Sequence, residues 1–543
     1  MDDDRPRLTI GLPRRQVALL AAGPAGALVV FYVWPFGSLI VEAIDATVIG
    51  DTLRRSATWR TAWFTFWQAV VSTLVTVLVG LAPAHVVARY RFRGRRALVG
   101  LLTAIFVLPT VVMGAAFLAL LPASVDRTVW AVIGAHVVFN LAVVIRMVGA
   151  VWEHLPPDME AAAATLGASR WRVVREVSLP LVRPAVTAAA AIVFLFTFTS
   201  FGVIRVLGAP GTRTIEVEVW RRATQLGDVG GAAVLSMLQL GFLVAVVGWS
   251  SRAQRRFSRA VDLRPAAPRR VARTGSERAT VFAIAGVTAA IATAPLVALA
   301  VRSFSTPSGW STAAWSDLGR SEVRPGIRLG IDPLAAVTNS IQTALWATAF
   351  AVVLGGLASL AIASAGRAGR VLDVGLMLPI GTSAVTIGFG MLIAFDTAPF
   401  DWRASWWLVP VGHALIAIPF VIRTTIGVLR SIDPMLGAAA ATLGASPTRA
   451  WAAVVVPMLW RPLAVGAALA AAISLGEFGA TSFLSRSGGA TIPIAIERLL
   501  GRTGSLLQAQ GYALATILAA TTIVLVTAVD RVHDVVGIGT ERS

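Results

Sequence analysis

Few residues in this 543-residue sequence could do chemistry, and most of those sit in apolar surroundings. Glu477, within Ser474-Leu-Gly-Glu-Phe-Gly479, interrupts a long run rich in alanine. A carboxylate at membrane depth is costly, which makes it a functional candidate by default. It would suit a cationic ligand; close to an aqueous face it would instead be solvated or paired with an arginine. Ser200, Asn140 and Gln239 are further polar interruptions that could line a path, with interhelical hydrogen bonding as their ordinary role. The same role is expected of His136 and His413. Five histidines and no cysteine form no zinc spacing, so no metal site is expected. Lysine is absent, which rules out a phosphate-binding Gly-x-x-x-x-Gly-Lys loop and ATP hydrolysis by this chain through one. No nucleophile stands with a base, and the chain is expected not to be an enzyme.

The strongest signal is a segment that occurs twice. Glu160 is followed by Ala-Ala-Ala-Ala-Thr-Leu-Gly-Ala-Ser169, and Gly437 by the same nine residues, ending at Ser446. Consecutive alanines favour helix, while Gly167 and Gly444 permit a tight turn or the close approach of another backbone. Pro180 and Pro457 follow at equal spacing and are expected to interrupt the next helix and set its direction. Each copy reads as a short helix-turn-helix with a small-residue surface suited to a groove on a partner.

The elements that must position these residues are apolar. Hydrophobic residues make up 56% of the chain and charged residues 14%, with mean hydropathy +0.75; soluble proteins sit near 25% charged. Twelve stretches approach the roughly 20 residues that a helix needs to cross a bilayer. They lie at roughly 17–43, 62–88, 97–121, 129–151, 185–204, 231–250, 280–301, 339–365, 371–395, 406–429, 463–483 and 511–529. The fifth of each half is the weakest. Arginine bias in the connections puts the N-terminus, the C-terminus and both repeated segments on the cytoplasmic side of the membrane. That placement accounts for the net charge of +19 without a nucleic-acid partner. Adding 277 to a first-half position maps His136 to His413, Arg146 to Arg423, Gly167 to Gly444 and Phe201-Gly202 to Phe478-Gly479. Six spans per half return the chain to one side, so the halves are parallel repeats. The expected fold is therefore all-α and integral to the membrane: a first half over 1–250 with its loop at about 153–184, and a second over 280–543 with its loop at about 430–462. Residues 251–279, rich in Arg, Pro and Ala, read as a cytoplasmic linker, a solvated tether near anionic lipid headgroups. In the outer connection 302–338, Trp310 and Trp315 belong either to the membrane interface or to a short surface helix.

The twin segments resemble the EAA loops of type I ABC importer permeases, whose pattern is Glu-Ala-Ala, three residues, Gly, then about nine residues and an apolar-x-Leu-Pro. Ala135-His136-Val-Val-Phe-Asn140, Arg146, Phe198-Thr-Ser-Phe-Gly202 and Thr214-Ile-Glu-Val-Glu218 add to the likeness, which covers nearly the whole chain. The fused arrangement is similar to thiamine and ferric-iron permeases and leans toward thiamine. The resemblance implies a permease that couples to two copies of a separate ABC ATPase, which would hold ATP and Mg, and receives ligand from an extracytoplasmic substrate-binding protein. No cofactor is expected on this chain itself. The coupling residues implied are Glu160, Ala161, Ala162, Gly167, Ala168, Ser169 and Pro180, with Gly437, Ala438, Ala439, Gly444, Ala445, Ser446 and Pro457 in the second copy. Aligned on the glycines, the family's Glu position holds Ala161 and Ala438, and the second copy has no carboxylate beside it. An ion-coupled secondary transporter also uses parallel six-span halves, but it calls for midplane charges that are scarce here.

Overall fold

The computed structural model describes residues 14–208, 211–257, 269–306, 309–319, 322–324, 327–328, 332–396, 400–486 and 488–537. The two chain ends and the middle of the linker lie outside these residues, and so does the expected placement of both termini.

Helices dominate. The first half comprises α1 (Arg15–Ala43), α2 (Ala46–Arg54), α3 (Ser56–Arg89), α4 (Arg95–Val107), α5 (Thr110–Leu120), α6 (Val129–Glu153), α7 (Pro157–Thr165), α8 (Trp171–Phe198), α9 (Gly202–Leu207), α10 (Ile215–Arg221) and α11 (Val229–Phe257). The second comprises α12 (Gly275–Ser303), α13 (Ala313–Ser316), α14 (Pro333–Ser364), α15 (Arg367–Gly381), α16 (Ala384–Ala394), α17 (Leu408–Ser431), α18 (Pro434–Thr442), α19 (Thr448–Gly476), α20 (Thr481–Leu484), α21 (Ile492–Leu500) and α22 (Ser505–Gly537). Two short antiparallel pairs are the strands described, β1 (Ser305–Thr306) with β2 (Gly309–Trp310) and β3 (Glu322–Arg324) with β4 (Ile327–Arg328). Trp315 falls in the short helix α13 and stacks on Phe304 at 5.4 Å, while Trp310 is exposed on β2.

Among the described residues, ten helices are long and apolar enough to cross a membrane. The third and ninth expected spans are instead bent pairs, α4 with α5 at 108° and α15 with α16 at 103°. Helices of 13 and 11 residues are about 20 and 16 Å long, too short alone for a hydrocarbon core of about 30 Å. Pro109 explains the first bend, because a residue before proline is pushed out of the helical region, and Leu108 has ψ 143°. The second half makes the same bend with Ser383, whose Oγ accepts from the Val385 N–H at 3.1 Å. The first pair begins where Arg95 Nε donates to the Val87 carbonyl, near the end of α3. It finishes with Gly114 against Val206 of α9, past the far end of α8. The first pair thus runs from the end of α3 to beyond the far end of α8, and with each bent pair counted as one span the described residues hold up to twelve.

Each half is built on three helices, α3, α6 and α8 in the first and α14, α17 and α19 in the second. Their packing is close at a glycine in each case. A methyl at Gly80 would meet Val144 at 2.7 Å, and one at Gly355 would meet Val421 at 2.9 Å. The first helix of each half packs largely on the other half, while keeping α11 or α22 of its own half as a neighbour. α1 lies along α14 and α16, and α12 lies along α3, α4 and α5. Such an exchange needs both halves in one chain or in one complex to complete either core.

Three expectations need correction. Pro180 and Pro457 do not interrupt the helices that carry them. A five-residue π turn precedes each, at Val174–Ser178 and Trp451–Val455, and the helix continues. A wider turn leaves room for a ring that cannot donate to the preceding turn. The fifth and eleventh spans start earlier than expected and stop at Phe198 and Gly476. The linker is shorter than 251–279: α11 runs through Phe257, α12 starts at Gly275, and residues 269–274 are fastened to the first half.

Candidate functional site

α7 and α18 carry the repeated segment with the same geometry. Gly167 and Gly444 have φ of 82° and 83°, the left-handed conformation in which glycine ends a helix without strain. The Ala168 N–H donates to the Ala163 carbonyl and the Ala445 N–H to that of Ala440, each at 3.1 Å. Ser169 and Ser446 Oγ accept from Arg172 and Arg449 N–H at 3.4 Å. Of the residues expected to form the coupling surface, Ala161, Ala162, Gly167, Ser169, Ala438, Ala439, Gly444 and Ser446 are exposed; Ala168 and Ala445 are half-buried.

The residues that sequence reasoning passed over are the leucines at the tips. Leu166 is 89% exposed and Leu443 88%. Met159 and Leu436, again 277 apart, are also exposed, and large apolar residues left exposed at equivalent positions of both copies point to an interaction site. Both leucines were visible in the repeated segment as large apolar residues immediately before a turn glycine. Glu160 turns inward instead. Its Oε1 accepts from Arg89 Nη2 at 3.1 Å and from Ser178 Oγ at 2.9 Å. Gly437 is buried, and the second helix rests on an apolar cluster that includes Ile432, Ala450, Val455 and Leu459.

At the opposite ends of α8 and α19 the two halves meet. Phe201 and Phe478, equivalent residues of the repeat, face each other with ring centroids 5.1 Å apart. Arg205 pairs with Glu497 across the seam and lies over the Trp220 ring at 3.8 Å. Trp220 Nε1 donates to the Ser482 carbonyl at 3.4 Å. Adding 277 converts Arg205 to Ser482 and Trp220 to Glu497, so the two cross-seam contacts are related by the repeat. The seam is closed at this end.

The four residues expected on a path are all buried and partnered. His136 Nε2 bonds Ser200 Oγ at 2.8 Å, and Asn140 Nδ2 donates to the His136 carbonyl at 2.9 Å. Gln239 Nε2 donates to Glu216 Oε1 at 2.5 Å. Glu477 is neither solvated nor paired with an arginine. Its carboxylate accepts from Ala480 N–H at 2.8 Å, Thr481 N–H at 2.9 Å and Thr481 Oγ1 at 2.6 Å, and lies 3.2 Å from His413 Nε2. It therefore caps the short helix α20. None of the four lines the open cleft formed by Asp396, Asp401, Arg403, Arg486 and Arg498. Among the described residues no group of three or more His, Cys, Asp or Glu could hold a metal ion.

Comparison with known proteins agrees with a two-half architecture. The profile of the family described as binding-protein-dependent transport system inner membrane component matches residues 76–260 and again 347–539. The thiamine transport system permease protein of Salmonella typhimurium is 25% identical over 478 residues, 82% of this chain and 84% of the relative. That of Brucella abortus (strain 2308) is 27% identical over 556 residues, 95% of this chain and 94% of the relative. The putative 2-aminoethylphosphonate transport system permease protein of Salmonella typhimurium is 30% identical over 198 residues, 36% of this chain and 74% of that one.

Proposed function

Since the chain belongs to the family of binding-protein-dependent transport system inner membrane components, we propose that it is the fused permease of an ATP-driven importer for a thiamine-like cation. It spans the membrane many times, is not an enzyme, and leaves ATP hydrolysis to a separate subunit. Two copies of that ATPase dock on α7 and α18 from the cytoplasmic side, where both chain termini also lie, and ATP and Mg stay with them. An extracytoplasmic binding protein delivers the substrate at the Phe201–Phe478 seam. Lipid covers the remaining apolar surface.

The observation that carries this reading is the pair of exposed leucines, Leu166 and Leu443, on two helices of matched geometry. One apolar tip could be incidental; two at equivalent positions fit two copies of one partner. Closing those partners would move α7 and α18, and through the continuous helices α8 and α19 it would separate the seam. Thiamine is favoured over ferric iron by the relatives that span nearly the whole chain. Glu497, which can exchange Arg205 for another cation at the seam, is better placed for a cationic substrate than Glu477, whose lone pairs are already used.

The test is uptake of labelled thiamine into proteoliposomes holding this chain with its ATPase and binding protein. ATP-dependent uptake that needs both partners supports the reading. Binding of ferric iron or a phosphonate by the partner binding protein, with no thiamine uptake, would overturn the substrate; uptake without any ATPase would overturn the class.

A further inference from the structure

The two docking helices have one shape but different attachments. In the first half Arg89, the last residue of α3 and only 7% exposed, donates from Nη1 to the Leu155 carbonyl and from Nη2 to Glu160, both at 3.1 Å. Ser178, in the π turn near the start of α8, adds a bond to the same carboxylate oxygen. One guanidinium thus ties the segment leading into α7 to the helix itself. The same carboxylate ties α7 to the start of α8. Charge-assisted bonds of this kind are directional and stronger than neutral ones.

The segment that joins the two halves is fastened to the same place. The Arg270 N–H donates to the Arg89 carbonyl and the Arg91 N–H to the Arg270 carbonyl, each at 2.9 Å. Arg270 also lies over the Tyr90 ring at 4.6 Å, and Tyr90 OH donates to Glu277 at 2.8 Å. Arg269 pairs with Glu153, the last residue of α6. Backbone and side chain of Arg89 therefore serve two different elements.

Among the described residues, no charged pair of this kind ties α18 to its neighbours. α14 ends at Ser364, and the positions of Glu160 and Ser178 are occupied by Gly437 and Val455. The contacts there are apolar, made by Leu360, Leu429, Ile432, Val455 and Leu459, with Leu20 of α1 packed against them. Apolar contact is non-directional. Since α18 has the same turn as α7 without any latch, the Arg89–Glu160 pair is not needed to build a docking helix.

We propose that Arg89 is a positioning residue that latches the first docking helix, and that the joining segment fastens the same node, so that the two halves are held unequally. Force from the ATPase then enters the first half through a rigid polar joint and the second through a joint that can slide. The consequence for transport rests on the function proposed above; the unequal holding of the helices does not.

The test measures backbone hydrogen exchange of residues 157–168 and 434–445 in the full chain in lipid nanodiscs. Alongside it, the complete complex is assayed for ATP hydrolysed per substrate molecule transported. In the Glu160→Gln variant, exchange in 157–168 should rise about tenfold, the scale of one lost charge-assisted hydrogen bond, with 434–445 unchanged. The Glu160→Asp variant should recover part of the protection, and Arg269→Ala should reproduce part of the loss. ATP hydrolysed per molecule transported should rise in Glu160→Gln. Unchanged exchange in 157–168 would overturn the latch, and an equal rise in both segments would overturn the inequality. If Gly444→Val leaves transport coupling untouched, the docking function fails, and the exchange result still decides the latch.

Discussion

Gly167 and Gly444 are the residues whose geometry is least replaceable. A side chain in their left-handed conformation costs about 1–2 kcal/mol, and a β-branched one would shift the turn that presents Leu166 or Leu443. The Gly167→Val variant is expected to insert normally yet hydrolyse ATP with little uptake, as read by paired ATPase and transport assays. Glu477 has a different fate. A glutamine keeps one acceptor and loses the charge that holds two backbone N–H groups and Thr481. Glu477→Gln should therefore lower stability by about 1–3 kcal/mol, seen as a lower melting temperature, with little change in apparent substrate affinity. At this scale the sequence was partly legible. The turn glycines and the exposed alanines could be read from spacing. The inward turn of Glu160 could not, because its partners Arg89 and Ser178 lie 71 and 18 residues away in sequence. The seam pair Arg205–Glu497, 292 residues apart, was hidden for the same reason.

Among the elements, the π turns before Pro180 and Pro457 matter most. Each sets the rotation between a docking helix and the membrane helix that follows. Proline forces the wide turn by withholding a donor, so Pro180→Ala allows an ordinary helical turn to form there. That change would rotate α7 and the first residues of α8 against the rest of α8 by about 100°, one residue of helix. Uptake should fall while the ATPase remains bound, measured by co-purification beside transport. Apolar run length and alanine content made the helices legible but not these turns, which need the two proline positions compared with the hydrogen-bond pattern around them. Likewise the bent pairs α4–α5 and α15–α16 read as single spans by length and composition, since Leu108-Pro109 and Thr382-Ser383 are minor interruptions in apolar runs. The exchange of α1 and α12 between halves leaves no trace in hydropathy, because lipid-facing and protein-facing apolar surfaces look alike in sequence.

At the scale of the whole molecule, the repeat places docking helices at one end of each bundle and a closed aromatic seam at the other. Phe201 and Phe478 hold that seam with an aromatic contact worth about 0.5–1.5 kcal/mol beyond buried area. Phe478→Ala should shift the resting population toward separated halves and raise ATP hydrolysis in the absence of binding protein. An unchanged basal rate would mean that the seam does not report on the ATPase. Docking at α7 and α18 depends on the two exposed leucines, Leu166 and Leu443. Leu166→Asp and Leu443→Asp together, in a chain that still folds and inserts, should abolish co-purification of the ATPase and ATP-driven thiamine uptake. The most direct measurement is that paired assay on the double variant: loss of both activities is the expected result, and full uptake with the ATPase still bound would contradict docking at these helices.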